Sequence, residues 1–266
     1  MMRDVTLGQY FQGKSILHRL DPRMKIVLLV AFIVLIFCTG NYFSLAFTAV
    51  IVALTVLLSG VPTKMYLKSV KTIVFIVIFT SVLNLLYGTG DVLWSWGFLK
   101  ITTGGIRNAV FVTVRIISLI LVSSGLTFTT SPTDLTDALE RLLKPLGFFK
   151  IRVHEIAMMM TIALRFIPTL LEETDKIMQA QKARGADMES GGIVKRVKAL
   201  VPILVPLFVS AFRRAYDLAT AMECRCYQGG SGRTRMKSLH MTAIDYKAAV
   251  FMVIVACGVI LLNIFL

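Results

Sequence analysis

Long apolar runs, broken by short polar turns, dominate the chain and predict a succession of helices. Leu20-Asp21-Pro22 reads as a helix start, with Asp21 as cap and Pro22 in the first turn. The apolar run Ile26–Thr39 follows and stops at the turn Gly40-Asn41. Counted from Pro22, it is just long enough to cross a bilayer. A second span, Tyr42–Leu58, ends at Gly60-Val-Pro62. Thr63 then caps a helix whose opening carries Lys64, Lys68 and Lys71 on one side, and a third span runs from Thr72 to Tyr87. Gly88-Thr-Gly-Asp91 opens a loop in which Val92–Phe98 alternates in character. That alternation predicts a short hairpin at the membrane surface, with Trp94 and Trp96 in the interfacial aromatic belt. Ile106–Thr129 is the fourth span and Ala243–Leu266 the last.

Between Pro132 and Asp245 the pattern changes, and no clean span is expected there. Ser131-Pro132-Thr133-Asp134 is a helix N-terminus, and Leu135, Ala138, Leu139, Leu142 and Leu143 make the helix it opens amphipathic. Pro145 and Gly147 end it. Two long helical runs follow, from about Val153 to Lys182 and from Ile193 to about Tyr227. Each has an apolar first half and a polar second half, with Pro168 in one and Pro202 and Pro206 in the other. Ser190-Gly191-Gly192 reads as the linker between them, and Gly229–Lys237 as a flexible basic linker to the last span. The predicted fold is an all-α membrane protein of about five transmembrane helices plus three cytoplasmic helices. Residues 1–130 carry the first four spans, 131–240 the cytoplasmic helices, and 241–266 the C-terminal span.

Hydrophobic residues make up 56% of the chain, and the net charge is +14. The basic residues alternate with the apolar spans, which fits a cytoplasmic membrane surface rather than nucleic acid. Nearly all lie before the first span, in the Lys64–Lys71 segment and between Pro132 and Lys247. That bias places the N-terminus and the extra helices in the cytoplasm and the C-terminus outside. The polar opening, Met1–Arg23, has no apolar core and is no cleavable signal. Cys38, Cys224, Cys226 and Cys257 form no disulfide framework or zinc spacing, and His18, His154 and His240 form no metal motif. No phosphate-cradling loop, hydrolase elbow or zincin motif occurs, so neither a catalytic site nor a cofactor or metal is predicted.

Chemistry concentrates instead at two helix ends. Ala180-Gln-Lys-Ala183-Arg184-Gly185 and Ala221-Met-Glu-Cys224-Arg225-Cys226 share the plan Ala-x-x-small-Arg-small. An arginine with small neighbours at the tip of a rigid rod can enter a groove on another protein and bond a carboxylate bidentately. The alternative is that each guanidinium bonds carbonyls of its own helix. The apolar halves carry Met158-Met159-Met160 on one helix and Val201, Leu204 and Phe208 on the other. They either pack within the chain or form a docking face for an interchangeable membrane partner. Arg115, inside the fourth span, either bonds helix-end carbonyls or snorkels, or else contacts a partner subunit.

These motifs, with the opening Gly8-Gln-Tyr-x-x-Gly13-x-Ser15-x-Leu-His18-Arg-Leu-Asp21-Pro22, give the chain a close likeness to a known family. It resembles the T component of energy-coupling factor transporters, modular ABC-type importers of vitamins and metals in prokaryotic cell membranes. The resemblance implies a non-catalytic subunit whose coupling helices insert into two ABC ATPase subunits and move a substrate-binding S component. It further implies that Arg184 and Arg225 pair with acidic residues of those ATPases, with Ala183, Gly185, Cys224 and Cys226 around them. The shared-module type, serving several S components, fits the length and opening better than the dedicated cobalt or nickel type. A stand-alone carrier or channel is the alternative, and it requires a polar path through the spans.

Overall fold

The computed structural model describes residues 10–86, 92–96, 99–185, 192–229 and 239–265. In chain order the elements are α1 (Ile16–Arg19), α2 (Pro22–Phe37), α3 (Tyr42–Leu58) and α4 (Thr63–Leu86). A hairpin of β1 (Val92–Trp96) and β2 (Leu99–Thr102) leads to α5 (Thr103–Thr129), α6 (Pro132–Leu143), α7 (Val153–Ala183), α8 (Ile193–Cys224) and α9 (Ala243–Phe265). The protein is an all-α membrane protein apart from that antiparallel hairpin. Gly8 of the opening motif, the loop 87–91, Ser190 and Gly191 of the linker, and the linker residues 230–237 lie outside the described residues. So do the side chains of Trp94 and Trp96. The chain divides into two compact units, residues 8–138 with 237–266, and residues 139–236 with 1–7.

In the first of these units α2 and α9 run parallel, held at both ends. At the start, Asp21 caps α2 by accepting from the Arg23 amide at 2.9 Å, and Pro22 sits in the first turn. The Asp21 amide in turn donates to Asp245 Oδ1 at 2.7 Å. Asp245 is only 1% exposed, and its other oxygen accepts from the Thr242 amide and hydroxyl at 2.6 and 2.8 Å. Asp245, the third residue of α9, thus supplies the reach-back half of a capping box, its carboxylate accepting from the amide of Thr242. Arg23 adds a 3.1 Å ion pair to Asp21 and a bond to the Leu239 carbonyl. At the far end, the Asn263 amide donates to the Cys38 carbonyl and accepts from the Gly40 amide. Between these ties lie Phe32, Leu35, Ile36, Val52, Val255 and Val259, an apolar core shared by α2, α3 and α9.

The opening motif is a brace for this bundle. His18 Nε2 donates to the Phe11 carbonyl while its Nδ1 faces the Ser15 hydroxyl at 2.7 Å. A Cβ on Gly13 would stand 2.7 Å from the His18 ring, so only glycine lets the loop close. The Phe11 amide then donates to the Phe128 carbonyl at the end of α5. Phe11 packs there on Val61, Tyr66 and Phe128. On α5, Gly105 lets that helix approach α4, since a Cβ would meet the Leu85 carbonyl at 2.6 Å. Ser131 opens α6 as expected, its hydroxyl accepting from the Asp134 amide and donating to the Asp134 carboxylate.

The helices long and apolar enough to cross a membrane are α4, α5, α7, α9 and the Lys198–Cys224 part of α8, by length and composition. Between Pro132 and Asp245, where no clean span was expected, α7 and α8 meet that measure of length and composition. In α7 and α8 the apolar first half lies within a helix of 31 and 32 residues, so a long apolar window fits inside each. By contrast α2 and α3 have 16 and 17 residues, short of the roughly 20 that a full crossing takes. The prolines end neither long helix: Pro168 lies inside α7, and Pro202 and Pro206 inside α8.

Removing the carboxylate in Asp245→Ala leaves the Asp21 and Thr242 amides without acceptors inside the protein. It is expected to cost about 3 kcal/mol or more of stability. Asp245→Asn, which keeps one acceptor, should cost less. Thermal unfolding of both variants in detergent micelles checks the order.

Candidate functional site

The unit of residues 139–236 contains α7 and α8, and they cross antiparallel. Arg214 of α8 donates to Glu173 of α7 at 2.7 Å, and eight residues further along α7, Gln181 Nε2 reaches the Pro202 carbonyl at 3.4 Å. The second contact has a covalent cause. In a helix the carbonyl of residue 202 would accept from the amide of residue 206, but Pro206 has no N–H. The freed acceptor faces the neighbouring helix, and Gln181 takes it up.

The same crossing sends the two arginines to opposite ends of the pair. Arg184 lies just beyond Gln181, level with the start of α8, whereas Arg225 closes the far end of α8. At about 1.5 Å of rise per residue they stand roughly 40 Å apart along the rods. Their local geometry is alike. Each arginine is the C-cap of its helix, with φ and ψ of −83° and 6° at Arg184 and −93° and 13° at Arg225. In both cases the next residue turns left-handed, Gly185 at φ 86° and Cys226 at φ 55°. The Gly185 amide returns to the Lys182 carbonyl, and the Cys226 amide to the Glu223 carbonyl at 2.8 Å. Those turns use backbone amides, not the guanidinium groups, to satisfy the helix-end carbonyls. Both arginines are exposed and neither has a side-chain partner among the described residues.

The small flanks therefore have two jobs. Ala183 and Cys224 keep the last turn slim, while Gly185 and Cys226 occupy the left-handed position that swings the chain away from the arginine. Glycine does this without strain; cysteine, with a Cβ, does so at some cost.

The residues expected to form one docking face are not brought together. Val201, Leu204 and Phe208 flank the crossing near Gln181, and Phe208 is 61% exposed. Met158, Met159 and Met160 lie near the other end of α7, roughly 30 Å away along the helix. Met159 is 59% exposed and Met158 half-buried, so there are two separate apolar patches.

A family model described as "Cobalt transport protein", CbiQ, matches residues 13–236. A protein of Ruminiclostridium cellulolyticum called energy-coupling factor transporter transmembrane protein EcfT is 52% identical over 263 residues, covering 99% of this chain and 98% of its own length. One of the same name from Bacillus subtilis is 46% identical, covering 96% and 97%. The chain belongs to the T-component family of energy-coupling factor transporters. It is the transmembrane component of such a transporter, and a multi-pass membrane protein.

Within a T component, the contacts that set the angle of α7 and α8 were the ones sequence reading missed. Glu173 and Arg214 look like ordinary charges on polar helix halves, and nothing in their spacing pairs them. A signal did exist for Gln181: prolines four residues apart at 202 and 206 free a carbonyl that some donor must satisfy. The strained turn at Cys226 gives a direct test. Cys226→Gly is expected to stabilise the last turn of α8 by about 1 kcal/mol, and Cys226→Val to destabilise it by at least as much. Hydrogen exchange of the amides of residues 223–227 measures both.

Proposed function

We propose that Arg184 and Arg225 are the points at which two ABC ATPase subunits grip this T component. The observation that carries this reading is the pair of exposed, unpartnered C-cap arginines, alike in backbone and held at opposite ends of one antiparallel crossing. A guanidinium at a slim helix end can reach into a socket and bond an acidic residue bidentately. The separation of roughly 40 Å leaves room for one ATPase at each tip. The relatives' names assign them to energy-coupling factor transporters, in keeping with this division of labour.

ATP binding by the partners then moves the tips, and α7 and α8 pass the motion to a membrane-embedded S component that holds the vitamin or other micronutrient. The stripe Val201, Val205, Phe208 and Phe212, exposed at helical spacing, is a surface suited to that partner, with Leu204 beside it. Met158, Met159 and Met160 offer a second, adaptable patch. The excess of Lys and Arg supports a cytoplasmic side for the N-terminus and for the 131–240 region with its coupling helices, in a prokaryotic cell membrane. The shared-module type remains the favoured subdivision, with the S component choosing the substrate.

Charge reversal at both tips, Arg184→Glu with Arg225→Glu, is expected to abolish co-purification of the ATPases, while each single reversal weakens it by at least about tenfold. Pull-down from detergent-solubilised membranes measures this. Undiminished recovery of the ATPases and undiminished transport by the double variant would overturn the proposal. Uptake by the purified chain alone in liposomes would favour a stand-alone carrier instead.

A further inference from the structure

At the end of the bundle where α2 stops and α5 begins, a cavity of about 420 Å³ is lined by Thr39, Asn84, Gly104, Arg107, Asn108 and Arg115, among others. Arg107 and Arg115 sit two turns apart on α5, yet their guanidinium groups converge. Arg107 donates to the Gly40 carbonyl and Arg115 to the Thr39 carbonyl, each at 3.2 Å, and those carbonyls belong to successive residues. Arg115 thus bonds carbonyls beyond a helix end, one of the roles open to it from sequence. That contact does not use up the charge. Two cations are brought together with neutral acceptors and aromatic faces only: Phe37 beneath Arg115, and Tyr42 and Phe111 beside Arg107.

No carboxylate pairs with either arginine among the described residues, and Arg115 Nε is buried without a hydrogen-bond partner. The N-terminus of α5 also opens here, adding the positive end of a 27-residue helix beside Gly104. Arg115 is partly buried and Arg107 exposed, and two like charges held beside one cavity favour an anion in it. The donors on offer are guanidinium N–H groups, an unpartnered Nε–H and the Asn108 side-chain amide. That set suits an oxyanion rather than an apolar ligand, and in a membrane the abundant oxyanion is the phosphate of a lipid headgroup.

We infer that this cavity binds a phosphate group, and that in a membrane its natural source is the phosphodiester of a phospholipid headgroup. The lipid would lock the turn after α2 to α5 and so stiffen the bundle at this end. The site lies among residues 39–115, far in sequence from Arg184 and Arg225, and its test does not depend on the ATPases.

The experiment is thermal unfolding of the purified full chain in neutral detergent, titrated in separate arms. The additions are phosphatidylglycerol, phosphate-free diacylglycerol, and inorganic phosphate against chloride at equal ionic strength. Phosphatidylglycerol should raise the unfolding temperature and diacylglycerol should not. A matching rise with inorganic phosphate would identify a free oxyanion as a sufficient ligand; its absence would identify the lipid. In Arg107→Gln with Arg115→Gln, the half-saturating concentration should rise by at least about tenfold, the loss of more than one charge-assisted bond. Should that variant fail to fold, Asn108→Asp places an internal carboxylate at the cavity and should blunt the response in the same way. No response in any arm, or an equal response in the variants, would overturn the inference.

Discussion

A carboxylate buried in a lipid-facing bundle must have both oxygens hydrogen-bonded, and Asp245 meets that demand in a way that shapes the unit around it. One oxygen takes the amide of Asp21, the other the amide and hydroxyl of Thr242, so the starts of α2 and α9 are tied by the same group. Asp21 is itself a cap and an ion-pair partner of Arg23, and Arg23 reaches on to Leu239. Two chain segments over 200 residues apart thereby begin their helices at one point. Once that point is set, the apolar faces of α2, α3 and α9 have one way to meet, and Asn263 closes the far end.

Helix boundaries were legible because capping is local. Asp21-Pro22 and Ser131-Pro132 announce their helices within a few residues, and the side chains they predicted to bond do so. The same pattern stood at Thr242-Ala-Ile-Asp245 but lay hidden at the edge of a long apolar run. Its acceptor also serves Asp21, and a tie across that distance leaves no trace in local spacing. Length and apolar composition do not single out the crossing helices: α7 and α8 pass that measure beside α4, α5 and α9, because each has over 30 residues and room for an apolar window beside its polar end.

At the candidate site the positions of Arg184 and Arg225 followed from sequence, since a run of helix formers closing on a small residue sets a C-cap. Their freedom from self-contact did not. Whether a guanidinium folds back on its own helix depends on what the backbone amides after it do. Here Gly185 and Cys226 turn left-handed and supply those amides to the helix-end carbonyls. The separation of the methionine patch from Val201, Leu204 and Phe208 was also out of reach, because it depends on where two long helices cross.

The crossing itself rests on unusual materials. A continuous apolar seam would hold α7 and α8 rigidly over many turns, whereas here buried Ile203 at the crossing is joined by polar contacts, with Glu173 bonding both Arg214 and Ser210. Glu173–Arg214 is partly solvent-exposed, so its strength is modest, and the Gln181 bond is long at 3.4 Å. Such contacts set an angle without freezing it. Stiffness along each rod comes from the backbone ladder, which continues past the prolines, whereas compliance sits where the rods meet. For the proposed role, with load applied at Arg184 and Arg225, this is the useful distribution. Rods that bent would absorb a displacement at either tip, and a joint packed throughout like a protein core would resist it. Polar contacts between the rods can break and re-form at lower cost than a packed seam.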